Sequence, residues 1–167
     1  DLHSFPTRRS SDLPTGEPWI NLAPDHSTVH AAAQVGVPGS VFEHYRSLIT
    51  LRHDDALALG TFRLLAATHP TAWVILRQWR APEPDETGEG RLEQLLLIAQ
   101  CARESLPLAG EGGLLAELAA EGLEPEEWTG AEQLLRAGNP DVQPGSGHFG
   151  VPEALVGWDS LLLRRRA

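Results

Sequence analysis

The sequence predicts a mainly β protein, an antiparallel β-sandwich that follows the end of a helical or α/β unit. Three observations carry this. A single long amphipathic run opens near residue 40, six or seven short apolar runs come after it, and stretches rich in Gly and Pro separate them. The length of 167 residues and a hydrophobic content of 41% suit one domain with a core of ordinary size.

From Pro14 to Gly39 the chain is rich in Pro, Gly, Asn and Asp without a sustained period and reads as an extended loop. Ser40 followed by Glu43 has the form of a capping box and opens a helix expected over Ser40 to His53. Within it Val41, Phe42, Tyr45, Leu48 and Ile49 recur at spacings of three and four, so one stripe of this helix requires a partner surface. Next come Gly60 to Leu65 and Ala72 to Trp79, joined through His69-Pro70-Thr71 as a hairpin. On the second of these Trp73, Ile75 and Trp79 share one face and Val74 and Leu76 the other, the pattern of a strand covered on both sides.

Residues 81–90, with four acids among prolines and glycines, read as a solvated loop. Arg91 to Ala102 and Glu104 to Leu108 read as strands. The stretch 110–130 has two readings: a short helix over Leu114, Leu115 and Leu118 stopped by Gly122, or an irregular excursion between strands. Ala131 to Ala137 and Ser160 to Arg164 close the sheet on either side of a Gly/Pro-rich loop.

All 13 basic residues are arginine, against 23 acids, giving a net charge of −10. Without a basic stripe beyond Arg164, Arg165 and Arg166, nucleic acid and anionic membrane surfaces are excluded as expected partners. No apolar run approaches the roughly 20 residues of a membrane-spanning helix. The one cysteine, Cys101, precludes an internal disulfide framework. Methionine is absent, and the opening DLHSFPTRRSSDL matches residue for residue the translation of a common sequencing-library adapter. Residues 1–13 are therefore expected to be non-native and the rest a fragment of a longer protein.

Residues 18–65 resemble the α-amylase family of glycoside hydrolases (family thirteen), in its α-glucosidase and oligo-1,6-glucosidase branch. The resemblance rests on Pro18-Trp19-Ile20, Pro24, Gln34, Pro38, Ser40-Val41-Phe42, Tyr45-Arg46, Leu48-Ile49, Leu51-Arg52 and Gly60-Thr61, in that order. It continues through AWVILRQW, LLLIAQ and LVGWDSLLLRR, although Gln100 stands where the family usually has Asn and 110–130 has no clear counterpart. The resemblance implies that residues 14–54 are the last loop and helix of a truncated (β/α)8 catalytic barrel and 55–167 a C-terminal β-sandwich. It also implies a retaining mechanism run by carboxylates upstream of this chain. No catalytic, cofactor or metal residue is thus expected here. The expected partners are the oligosaccharide substrate of the longer enzyme and the missing barrel, and the expected location is cytoplasmic. Tails of trehalose synthases and sucrose isomerases share this architecture, and a carbohydrate-binding sandwich is the reading of a different class.

Several residues invite sharper chemistry. Asp25, His26 and His30 have metal-ligand types, but they lie in a loop with no fourth ligand and read as polar loop groups. His53, Asp54 and Asp55 read as solvated groups at a helix boundary. Trp73, Trp79, Trp128 and Trp158 could stack on sugars, though strand tryptophans more often fill sandwich cores. Cys101 reads as a small core residue. The Gly-Glu-Gly-Gly at 110–113 lacks the lysine of a phosphate loop and reads as a turn.

Overall fold

The computed structural model describes residues 23–26, 28–66, 68–84, 88–142 and 145–166. The expected adapter-derived segment 1–13 and the Pro18-Trp19-Ile20 part of the loop lie outside them. The described chain is mainly β and antiparallel throughout. Its main sheet has five strands, β1 (Thr61–Leu65), β2 (Ala72–Pro84), β3 (Gly90–Gln100), β5 (Glu132–Arg136) and β7 (Ser160–Arg166), in the order β1-β2-β3-β7-β5. The second layer is smaller. It joins the two-stranded ribbon of β4 (Leu106–Pro107) and β6 (Ala154–Leu155) to helix α4 (Leu114–Leu118) and two 3-10 turns, Ala119–Glu121 and Pro125–Trp128.

Alternation along the strands sorts the sheet into two faces. Leu65, Val74, Leu76, Leu96, Ile98, Leu161 and Leu163 point into the second layer, where they meet Leu106, Leu114, Leu118, Trp128 and Leu155 in one dry cluster. The helical reading of 114–122 is the one realised. Leu114, Leu115 and Leu118 bury one side of α4, and Gly122 ends the segment at a φ of 82°, a left-handed conformation that suits a residue without Cβ.

On the opposite face lie short helices that the sequence reading did not separate. Helix α1 (Ala31–Gln34) interrupts the expected loop, because the His30 ring accepts from Ala33 N–H at 3.3 Å and caps a run of three alanines. Helix α2 spans Val41–Leu51, two residues short of His53. Its Ser40 cap accepts from Glu43 N–H, but the Glu43 carboxylate accepts instead from Gly36 N–H at 2.8 Å, so half of the capping box is formed. The junction with α1 is tied further by Gln34, whose side-chain oxygen accepts from Phe42 N–H and whose carbonyl accepts from the Ser40 hydroxyl. Helix α3 (Asp55–Ala58) is one turn capped by Asp54. Strand β2 also runs four residues into the expected 81–90 loop, with a register irregularity between Arg80 and Pro84 that accommodates the prolines at its end.

Candidate functional site

Helix α2 is amphipathic in the opposite sense to a surface helix. The side turned toward the domain carries Glu43, His44 and Ser47, each half-buried, and only Leu51 is fully buried. The apolar stripe faces solvent: Val41 is 64% exposed, Tyr45 62% and Ile49 60%, with Phe42 and Leu48 exposed beside them. A Leu-sized side chain left in water forgoes roughly 1.5–3 kcal/mol. Between α2 and the β5 end of the sheet runs an open groove of about 360 Å3, lined by Val41, His44, Tyr45, Leu135, Pro140 and Val142. Its one guanidinium, that of Arg136, is committed to Asp159 at 2.9 Å, which leaves the groove without a free charge at that point.

Two arginines fasten the α2–α3 segment to the sheet. Arg77 on β2 donates from Nε to the Ala56 carbonyl (3.0 Å) and from Nη2 to the Gly60 carbonyl (2.7 Å). Arg164 on β7 pairs with Asp54, with Glu93 at 2.8 Å and with Glu132 at 3.8 Å. Asp54 is therefore not the solvated boundary group expected from the sequence. It caps α3 through Ala56 N–H and is drawn against the sheet because β3 and β7 place Glu93 and Arg164 beneath it. His53 and Asp55 remain exposed.

The other candidates are dispersed. The His26 ring bonds the Ala23 carbonyl at 2.8 Å, Asp25 accepts through its backbone from Thr28, and His30 caps α1. Among the described residues no group of three or more His, Cys, Asp or Glu side chains could hold a metal ion, and no helix is long and apolar enough to cross a membrane. The tryptophans divide: Trp128 is 1% exposed in the core, Trp79 half-buried, Trp73 64% and Trp158 71% exposed. Cys101 is exposed, contrary to its expected core position, because β3 ends one residue earlier. Gln100 is the buried side chain there, donating to the Glu104 carbonyl at 2.7 Å. The glycine-rich 110–113 is a turn leading into α4.

A buried carboxylate that the sequence reading did not single out organises the edge of the sheet. Asp159 accepts from Gly138 N–H (2.6 Å), Ser160 N–H (2.8 Å) and Arg136 Nε (2.9 Å). A Cβ at Gly138 would stand 2.9 Å from that carboxylate, so the close approach itself calls for glycine. Beside it Trp158 sits at a φ of 63°, its backbone N–H donating to the Ala102 carbonyl at 3.0 Å, and the residue is 71% exposed.

No protein-family model matches the chain. Among curated proteins it is 32% identical over 93 residues to a trehalose-6-phosphate hydrolase of Escherichia coli, an alignment covering 55% of this chain and 15% of the relative. It is 37% identical over 65 residues to an oligo-1,6-glucosidase of Heyndrickxia coagulans, covering 38% and 12%. The chain belongs to the α-amylase family. Among solved structures, the trehalulose synthase of Pseudomonas mesoacidophila superposes with a TM-score of 0.59 at 22% identity, covering 92% of this chain and 22% of that one, a likeness of fold alone. The chain thus spans less than a quarter of the length of each of these α-amylase-family relatives.

Proposed function

We propose that this chain is the C-terminal part of a retaining α-glucosidase, with residues 14–54 completing a catalytic barrel and 55–167 forming the β-sandwich behind it. The longer enzyme hydrolyses terminal α-glucosidic bonds of oligosaccharides, and the part seen here does no chemistry. Its role is to dock on the barrel and hold it. The outward apolar stripe of α2 carries this reading, since a helix with Val41, Tyr45 and Ile49 in water and Glu43 and Ser47 inward belongs to a surface that another body covers. The identities to an oligo-1,6-glucosidase and a trehalose-6-phosphate hydrolase support the substrate class. Purified chain incubated with a chromogenic α-glucoside is expected to release no chromophore above a mock purification; turnover would overturn the structural role.

A second reading is favoured by one observation, the exposure of Trp73 and Trp158. Two outward indole faces can stack on pyranose rings, which would make the sandwich a sugar-binding module. Titration with maltooligosaccharides, followed by tryptophan fluorescence, separates the two. A flat response removes the binding reading, and a saturable change supports it.

A further inference from the structure

The corner that opens β2 is held by an imidazole. Strand β1 ends at Leu65, opposite Val74, so the amides of Thr71 and Ala72 lie beyond the β1 ladder. Ala72 is 3% exposed and Thr71 half-buried, and an amide shut away from water requires an acceptor. The half-buried His69 ring supplies one: Nδ1 accepts from Thr71 N–H at 3.2 Å and from Ala72 N–H at 2.9 Å. The same corner anchors the end of β3, because the Thr71 carbonyl accepts from Cys101 N–H at 2.8 Å. A backbone N–H has only a proton to give, so Nδ1 holds both amides through its lone pair, and the hydrogen of the neutral ring sits on Nε2.

We propose that His69 is an acid-sensitive latch on this corner. A proton taken from solvent at Nδ1 consumes the lone pair, both amide bonds are withdrawn, and the start of β2 loosens together with the Cys101 end of β3. The sign follows from the acceptor role: the corner is closed at neutral pH and opens as the pH falls through the range in which imidazoles gain their proton. The surroundings favour the open form once the proton is bound. His69 lines a depression of about 420 Å3 with Glu117 of α4 and Glu121 of the first 3-10 turn. One Glu121 carboxylate oxygen accepts from Ala66 N–H at 2.7 Å, and the Glu121 carbonyl accepts from the Arg63 guanidinium of β1, so this edge of the second layer is already fastened beside the corner. An imidazolium released from the two amides therefore has two carboxylates in the same depression to turn to. The latch is local to this chain and independent of what covers α2.

Amide hydrogen exchange followed by NMR, corrected for the intrinsic pH dependence of exchange, tests it in this chain. Between about pH 7.5 and about pH 5 the protection of Thr71 and Ala72 is expected to fall about tenfold or more, with Cys101 following and Ile98 in the middle of β3 unchanged. His69→Asn places an amide oxygen near the position of Nδ1 and does not titrate, so its protection should be flat over the same range. Unchanged protection in the native chain, or an equal loss in His69→Asn, overturns the proposal. If the Asn variant fails to protect the two amides even at neutral pH, the 15N shifts of the His69 ring decide: Nδ1 must lack a proton at neutral pH and gain it in step with the loss of protection. A protonated Nδ1 at neutral pH, or amides that stay protected after it is protonated, overturns the latch.

Discussion

The two faces of the five-stranded sheet are built from similar residues and end in opposite conditions. Toward the β4–β6 ribbon and α4 the strands bury Leu65, Val74, Leu76, Leu96, Ile98, Leu161 and Leu163, and the second layer that covers them comes from the same chain between β3 and β7. Toward α2 the apolar row begins dry and ends in solvent, and the helix that borders it turns its hydrophobic stripe outward. The first face is finished by local sequence. The second has the composition of an interior and the exposure of a surface. Hydrophobic burial is indifferent to which chain segment supplies the cover, so this half-covered face is the one that the proposed docking on a barrel would bury.

This contrast predicts a ranking of substitutions in the chain taken alone. Trp128→Ala should be the most damaging, at about 3–5 kcal/mol, because it empties a site that is 1% exposed and packed by α4 and the sheet. Chemical denaturation reads this directly, and a loss under 1 kcal/mol would mean that the second layer is not the stabilising one. Asp159→Ala comes next, at roughly 2–4 kcal/mol, since it leaves the Arg136 guanidinium and the Gly138 N–H without their acceptor. Asp159→Asn should recover part of that loss by keeping a carbonyl oxygen at the site, a comparison that separates the bonds from the charge.

Asp54→Ala tests the joint between the two regions. It removes the α3 cap and one partner of Arg164, while Glu93 and Glu132 still neutralise that guanidinium. The expected cost is about 1–2 kcal/mol. Faster amide exchange should be confined to residues 54–59, with β4, β6 and α4 unchanged; exchange spreading over the whole sheet would show that the clamp holds the core itself.

How much of this was legible in the sequence follows from the range over which each signal acts. The strands β1, β2, β3, β5 and β7 announce themselves by short apolar runs between Gly and Pro, and α2 by a Ser cap and a stripe at spacings of three and four. Helix α3 did not, because a single turn at Asp55–Ala58 has no period to read and is fixed by Arg77 from 21 residues away. Cys101 was misplaced by one residue at the end of β3, enough to move it from core to solvent. Asp159 and Arg164 could not be found from spacing, since their partners Gly138 and Asp54 are 21 and 110 residues distant. The stripe on α2 reads in the sequence as requiring a partner surface, and among the described residues none covers it. The pattern alone could not say that the domain itself would supply none, because Glu43, His44 and Ser47 give the helix a polar side that looks equally suited to water.

The smallest expected effect on stability is the sharpest test of the contrast. In the chain alone Tyr45→Ser and Ile49→Ser remove side chains that are 62% and 60% exposed, so the folded state loses little packing and the unfolding free energy should change by no more than about 0.5 kcal/mol. Yet the stripe they belong to is the apolar area most available to a hydrophobic dye or to a second molecule. The double substitution should therefore lower dye binding and shift sedimentation toward the monomer at stability nearly unchanged. If instead it destabilises the chain by as much as Trp128→Ala, α2 packs inward in solution and the two faces are equally closed. A stability loss near zero with dye binding also unchanged would place the open surface elsewhere on the sheet, at Phe62 and Trp73, and the same pair of measurements on Trp73→Ser would then locate it.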